Sequence, residues 1–203
     1  GDFCLFLNAG DLFYAEHTLS KLVAGITTPD ALYFGTAVLT DQQHIYRLRP
    51  PMPVDVDAWL AQGGLPNHQA TLFPRSFYAE NAYDLSFRIS ADDDYKIRAL
   101  RQLPAVHLDL WAVIFELEGL SRSYNSLKLI RRRIKEQQKL RTKHFPGTGK
   151  RGATEIKYAI KSYVLWAAQT LTGYHWKYDL YFNKFHRLPA GDKARFVGFS
   201  GVD

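Results

Sequence analysis

Ala31–Leu39, ALYFGTAVL, is the stretch on which the reading of this chain turns: nine uncharged residues, aromatic and β-branched in character. A short apolar run of this kind predicts a buried strand. Working outward, Phe3–Asn8 (FCLFLN) has the same character and ends at the turn Ala9-Gly10-Asp11. His44–Leu48 alternates and predicts a short partner strand, Ala70–Phe73 predicts another, and Val106–Leu117 (VHLDLWAVIFEL) reads as one long strand or two joined ones. Between them, Glu16–Ile26 has helical spacing, with Leu19, Leu22, Val23 and Ile26 on one stripe. A second helix is predicted from Asp92 to about Leu103, with Tyr95, Ile97, Ala99 and Leu100 available for packing and acids at the positive end of its dipole. Three prolines in Arg49–Pro53 exclude regular structure there. Asp57–Ala61 predicts at most a short helix, and Gly63–Asn67 a loop that delivers His68 and Gln69 to the next strand. Strands interspersed with helices predict an α/β layer.

The chain has 203 residues, 46% of them hydrophobic, enough for a real core and too many for wholesale disorder. A single cysteine excludes an internal disulfide and any Cys-based zinc site. The opening GDFCLFLNAGD has no basic segment ahead of its apolar run, and that run is strand-sized rather than membrane-sized. Charge is split. Residues 1–120 hold 8 Lys and Arg against 15 Asp and Glu, whereas residues 121–203 hold 18 against 5, so an acidic front of −7 precedes a basic back of +13. Ser126–His144 predicts a basic helix with Leu127, Ile130, Ile134 and Leu140 on one face, 146–152 (PGTGKRG) breaks it, and a more aromatic helix follows over about Thr154–Thr172. The change of character puts a boundary near residue 121.

Three polar clusters could carry chemistry. Asn8 and Asp11 follow a strand, and a carboxylate there either holds a divalent cation that holds phosphate oxygens or serves as turn and helix-cap chemistry. His68-Gln69 stands at a loop-to-strand junction, where it binds a metal, phosphate or hydroxyl, or is a half-buried surface pair. Asp92-Asp93-Asp94 open a helix containing Arg98; a helix terminus accounts for one or two of these acids, and a general base for one that points inward.

Taken in order, FLNAGD (6–11), NHQATLF (67–73), ISADDDYKIRAL (89–100) and a strand ending in EGLS (118–121) resemble the second half of a family 2 glycosyltransferase. More narrowly they resemble the bacterial branch that builds exopolysaccharide and lipopolysaccharide chains. The resemblance implies an α/β fold: a partial GT-A type mixed sheet over 1–121, then a basic helical region over 122–203. It implies sugar transfer with inversion from a nucleotide-sugar donor to a glycan or lipid-linked glycan acceptor. It places the general base at Asp92, a Mn²⁺ or Mg²⁺ ligand at Asp11, and donor or acceptor contacts at Asn8, His68, Gln69 and Arg98. Many members carry Asp where this chain has Asn8 and Gly10, leaving Asp11 as the carboxylate of that region. The family's N-terminal nucleotide-binding half has no counterpart here, so the resemblance implies a C-terminal part that is inactive alone.

The basic back admits three readings: a solvated helix, a polyanion-binding module, or a surface for anionic lipid at the inner face of a bacterial membrane. No nucleic-acid motif accompanies Arg131-Arg132-Arg133. The longest stretch without Lys, Arg, Asp or Glu in the second helix region, Ser162–Trp176, is short of the ~20 residues a membrane span needs, while Tyr163, Trp166, Tyr174, Trp176 and Tyr178 suit a headgroup boundary. The reading from a different class than sugar transfer is a non-enzymatic module that binds polyanions or membranes through this tail.

Overall fold

A computed structural model describes residues 1–40, 45–48, 65–116, 126–146, 151–172 and 186–187. The expected proline segment, the short helix over 57–61 and the aromatic tail after Thr172 fall outside these residues, apart from the strand β7 (His186–Arg187).

The quoted stretch forms β3 (Leu32–Thr40), and Leu32, Tyr33, Phe34 and Val38 are fully buried in it. β6 (Ala105–Glu116) runs parallel to it. β4 (Ile45–Leu48) and β5 (Thr71–Pro74) run antiparallel. Tyr33 lies opposite both Leu72 and Val106, and Ala37 opposite both Leu48 and Val113. A residue has two hydrogen-bonding edges, so β5 and β4 share one edge of β3 and β6 takes the other. β1 (Phe3–Cys4) adds to β5, β2 (Leu12–Phe13) adds to β6, and β7 adds to β4, all antiparallel. The result is a mixed α/β sheet, as the alternation of elements implied.

Pairing of β3 with β6 slips after Phe34, which faces His107, so that Thr36 faces Trp111. Gly35 permits the slip. A Cβ placed there would lie 2.7 Å from the Ala112 Cβ and 3.1 Å from the Leu110 carbonyl oxygen, closer than atoms pack.

The helix α1 (Thr18–Ala24) buries Leu22 in a cluster with Tyr33, Leu72 and Val113. Its apolar stripe is narrower than the spacing predicts, because Leu19 and Val23 are exposed. The first strand is also shorter than expected, ending at Cys4 rather than Asn8. A short helix, α2 (Arg75–Glu80), follows β5 at Pro74, where six residues give too little periodicity to read. α3 (Ala91–Gln102) buries the four predicted packing residues, Tyr95, Ile97, Ala99 and Leu100.

α4 (Leu127–His144) and α5 (Arg151–Thr172) pack through Ile130, Ile134 and Leu165, with Tyr158, Ala159 and Trp166 around them. Among the described residues, no helix is long and apolar enough to cross a membrane. Compactness groups Gly1–Ala82, Ala99–Leu117 and Phe182–Asp203 into one unit, and Tyr83–Arg98 with Glu118–Tyr181 into another. Tyr83–Arg98, acidic in sequence, therefore belongs with the basic helices.

Candidate functional site

In the first unit, residues 8–11 form a β-turn. The Asp11 N–H donates to the Asn8 carbonyl at 3.1 Å, and Gly10 takes φ 93°, the left-handed value that a type II turn requires of its third residue. The Asn8 N–H donates back to the Asp11 carboxylate at 3.3 Å. Asp11 thus helps close its own turn, and this is a use for the side chain without any ligand.

His68 and Gln69 lie on a single 3₁₀ turn, His68–Ala70, rather than on the surface. Both are buried. Asn67 fixes the turn from its start: its side-chain oxygen accepts the Gln69 N–H at 3.0 Å, and its carbonyl accepts the Thr71 hydroxyl at 2.7 Å. The His68 ring stacks on Phe6 at 5.4 Å and meets Phe73 at the same centroid distance. Phe6 stands two residues before Asn8, so the segment leading into the turn is packed on the His68 ring.

The second unit holds the acid triplet, and its three members have different surroundings. Asp94 is completely buried. It accepts from Lys143 Nζ at 2.7 Å, His144 Nε2 at 2.7 Å and Arg98 Nε at 3.0 Å. Burial pushes its carboxyl up, but the Lys143 and His144 hydrogen bonds and the Lys143 and Arg98 charges outweigh that and hold it below the usual carboxylate value. Lys143 shifts reciprocally: burial lowers it, but its bonds to Asp94 and to Asp84 raise it. Asp93 pairs with Lys96 at 3.0 Å. Asp92 is half-buried in the first turn of α3, where the helix dipole favours a carboxylate. Arg98, expected at a donor or acceptor, has its Nε on Asp94 and its guanidinium 5.2 Å over the Tyr95 ring, which itself stacks on Tyr83 at 4.5 Å.

A second brace comes from Glu136. One of its oxygens, Oε2, accepts three successive backbone N–H groups, from Arg88 at 3.1 Å, Ile89 at 2.7 Å and Ser90 at 3.0 Å. Glu136 is buried, and its other oxygen lies 3.5 Å from Arg132 Nε. Lys139 adds a hydrogen bond to Ser86 and a cation–π contact with Phe87 at 4.4 Å. The residues 84–98 are therefore held by one face of α4.

Sequence reading did not single out Glu136, Lys143 or His144. One signal was present: Glu136 is the lone acid in the eighteen residues of α4. The Asp94–Arg98 pair was legible as an i,i+4 spacing.

Among the described residues, no three His, Cys, Asp or Glu side chains gather as metal ligands. Asp11 offers one carboxylate, partly engaged by its own turn. One carboxylate is the protein share that Mg²⁺ takes when it binds mainly through phosphate oxygens and water. No protein-family model matches the chain, and no curated protein or solved structure matches it.

Proposed function

We propose that this chain is the acceptor-side part of a GT-A type inverting glycosyltransferase. It would move a sugar from a nucleotide-sugar to a glycan or lipid-linked glycan in bacterial cell-surface polysaccharide synthesis, at the cytoplasmic face of the membrane. The reading rests on the ordered motif set Asn8-x-Gly10-Asp11, His68-Gln69 and Ala91-Asp92 with Arg98. The observation that carries it is the doubly braced first turn of α3. Asp94 is clamped by Arg98, Lys143 and His144, and the chain entering the helix is clamped by Glu136. A carboxylate that must meet a substrate hydroxyl needs a supporting shell of this kind.

In this reading Asp92 accepts the proton of an acceptor hydroxyl while that oxygen attacks the donor's anomeric carbon. The bond from that carbon to the diphosphate oxygen breaks, and nucleoside diphosphate leaves with its electrons. One displacement inverts the anomeric centre. Mn²⁺ or Mg²⁺, entering with the donor, would offset the charge on the leaving diphosphate, with Asp11 as its protein ligand. Asn8, His68, Gln69 and Arg98 would contact donor or acceptor.

The test uses the protein as its gene encodes it. With Mn²⁺ and a panel of nucleotide-sugars and glycan acceptors, one donor should give acceptor-dependent release of nucleoside diphosphate. Asp92→Asn should lower that rate by ~10²–10⁴ while donor binding holds. Turnover within a few-fold of wild type would remove Asp92 from the role of base.

A further inference from the structure

α5 presents two opposite faces. Leu165 and Ser162 are buried on the side that meets α4, with Tyr158 beside them. On the far side Ile156 is 60% exposed, Ile160 57%, Val164 56% and Leu171 84%, with Tyr163 among them at 39%. At about 100° per residue these five side chains fall within roughly 100° of arc, so they form one stripe along the helix rather than scattered contacts. Scattered apolar residues on a surface need no explanation, but a continuous stripe on one helix does.

Charge narrows what could cover it. Lys157 and Lys161 are exposed along one border of the stripe. α4, packed against the other side of α5, carries eight Lys and Arg against one Glu, and Lys128, Arg131 and Lys135 are exposed on it. A second copy meeting this face would bring like charge against like charge. Nucleic acid would satisfy the cations and leave the apolar stripe in water. An anionic bilayer surface satisfies both: the stripe enters the headgroup–acyl boundary, the bordering lysines reach the phosphates along their own stems, and Tyr163 sits at the depth a phenol prefers. The helix would lie in the surface, since it is not apolar enough to span.

We infer that the Ile156–Ile160–Tyr163–Val164–Leu171 face of α5 docks in the plane of an anionic phospholipid membrane, with α4 supplying the long-range attraction. The inference does not need the sugar-transfer reading, because it is tested without donor or acceptor and the failure of either leaves the other standing.

The test is co-sedimentation of the full chain with vesicles of phosphatidylcholine alone or with about a third phosphatidylserine. Binding should require the anionic lipid and fall several-fold as salt rises, as expected of an attraction screened over ~8 Å at physiological ionic strength. Ile160→Glu with Val164→Glu should weaken it at least tenfold while circular dichroism and melting stay unchanged, both positions being exposed. Gln138→Glu together with Thr142→Glu, two exposed sites on α4, makes the same charge change off the stripe and should cost less than threefold. Equal losses from the two double variants would overturn the inference, leaving bulk electrostatics. It would also be overturned by absent binding to anionic vesicles, or by a wild-type dimer that the α5 variant dissociates without changing lipid binding. Tighter binding to double-stranded DNA, indifferent to the α5 variant, would overturn it in favour of nucleic acid.

Discussion

Asp94→Asn tests the brace directly, because the amide keeps the shape of the carboxylate and removes its charge. In the native structure that carboxylate is fully buried and faces three cationic or hydrogen-bonding groups: Lys143, His144 and Arg98. Removing one partner of a buried ion pair costs about 3–5 kcal/mol, because the other partner is left uncompensated. Relief exists at two of the three contacts here. The Lys143 side chain is 36% exposed and keeps Asp84 at 3.0 Å, and Arg98 keeps its place over Tyr95. The His144 side chain is only 5% exposed, so solvent gives it little relief. The expected loss is therefore at the lower end, about 3 kcal/mol, or about 10² in the folding equilibrium. Urea unfolding at pH 7, followed by far-UV circular dichroism, should show a lower midpoint with an unchanged slope. A loss under 1 kcal/mol would refute the argument. So would a loss that stays constant as pH falls below 3.8, because there the unfolded chain's carboxylate takes up a proton that the native Asp94 still resists, and the wild-type advantage declines.

Three further outcomes follow from the same geometry. Glu136→Gln keeps an acceptor for the Arg88, Ile89 and Ser90 N–H groups but removes its charge, and should cost about 1–2 kcal/mol, with Glu136→Ala costing more, in the same unfolding assay; equal stabilities would show the N–H groups are satisfied without it. Stability should fall in two steps on acidification. His107, whose Nε2 is buried without a hydrogen-bond partner, is lowered from 6.5 by burial against a smaller upward pull from Asp109, so its contribution declines first as pH drops below 6.5. Asp84 and Asp94, both held below 3.8, lose theirs below that value, and a thermal melt series from pH 8 to 3 reads both steps. Asp11→Ala, in the protein as its gene encodes it, should weaken Mn²⁺-dependent donor binding by at least tenfold in calorimetry and leave acceptor binding unchanged; unchanged donor binding would leave Asp11 as turn chemistry alone.

The strands and long helices were legible because burial writes itself as period. β3 and β6 are apolar runs with few charges, and α3 and α4 repeat their buried residues at helical spacing. What the sequence did not show depends on distance along the chain. The parallel pairing of Leu32 with Ala105 joins residues far apart in sequence, and no local pattern encodes it. The slip at Gly35 is visible only once Ala112 is known to lie beside it. At the candidate site, the turn at Asn8–Asp11 was readable from Gly10, because a left-handed residue has few candidates. The burial of His68 was not, because one ring that encloses it, Phe6, comes from a segment far away in the sequence.

The acid triplet shows what composition alone leaves out about α4. Eight cations in one helix suggest a surface that answers to bulk charge, and most of such a surface tolerates change. Yet the residues of α4 that hold the 84–98 segment include its one acid and its terminal histidine, alongside Lys139 and Lys143. A buried carboxylate among cations is expensive unless it is paired, so Glu136 and Asp94 persist inside a basic unit only because each is saturated with donors. The minority charge in a biased segment is thus the residue whose surroundings are most tightly specified. By that reasoning α4 has two separable jobs. Its inward side fixes the position of Asp92 through Asp94 and the Ser90 N–H, and its exposed side carries Lys128, Arg131 and Lys135, whose replacement by neutral residues should change salt-dependent association and leave the fold intact.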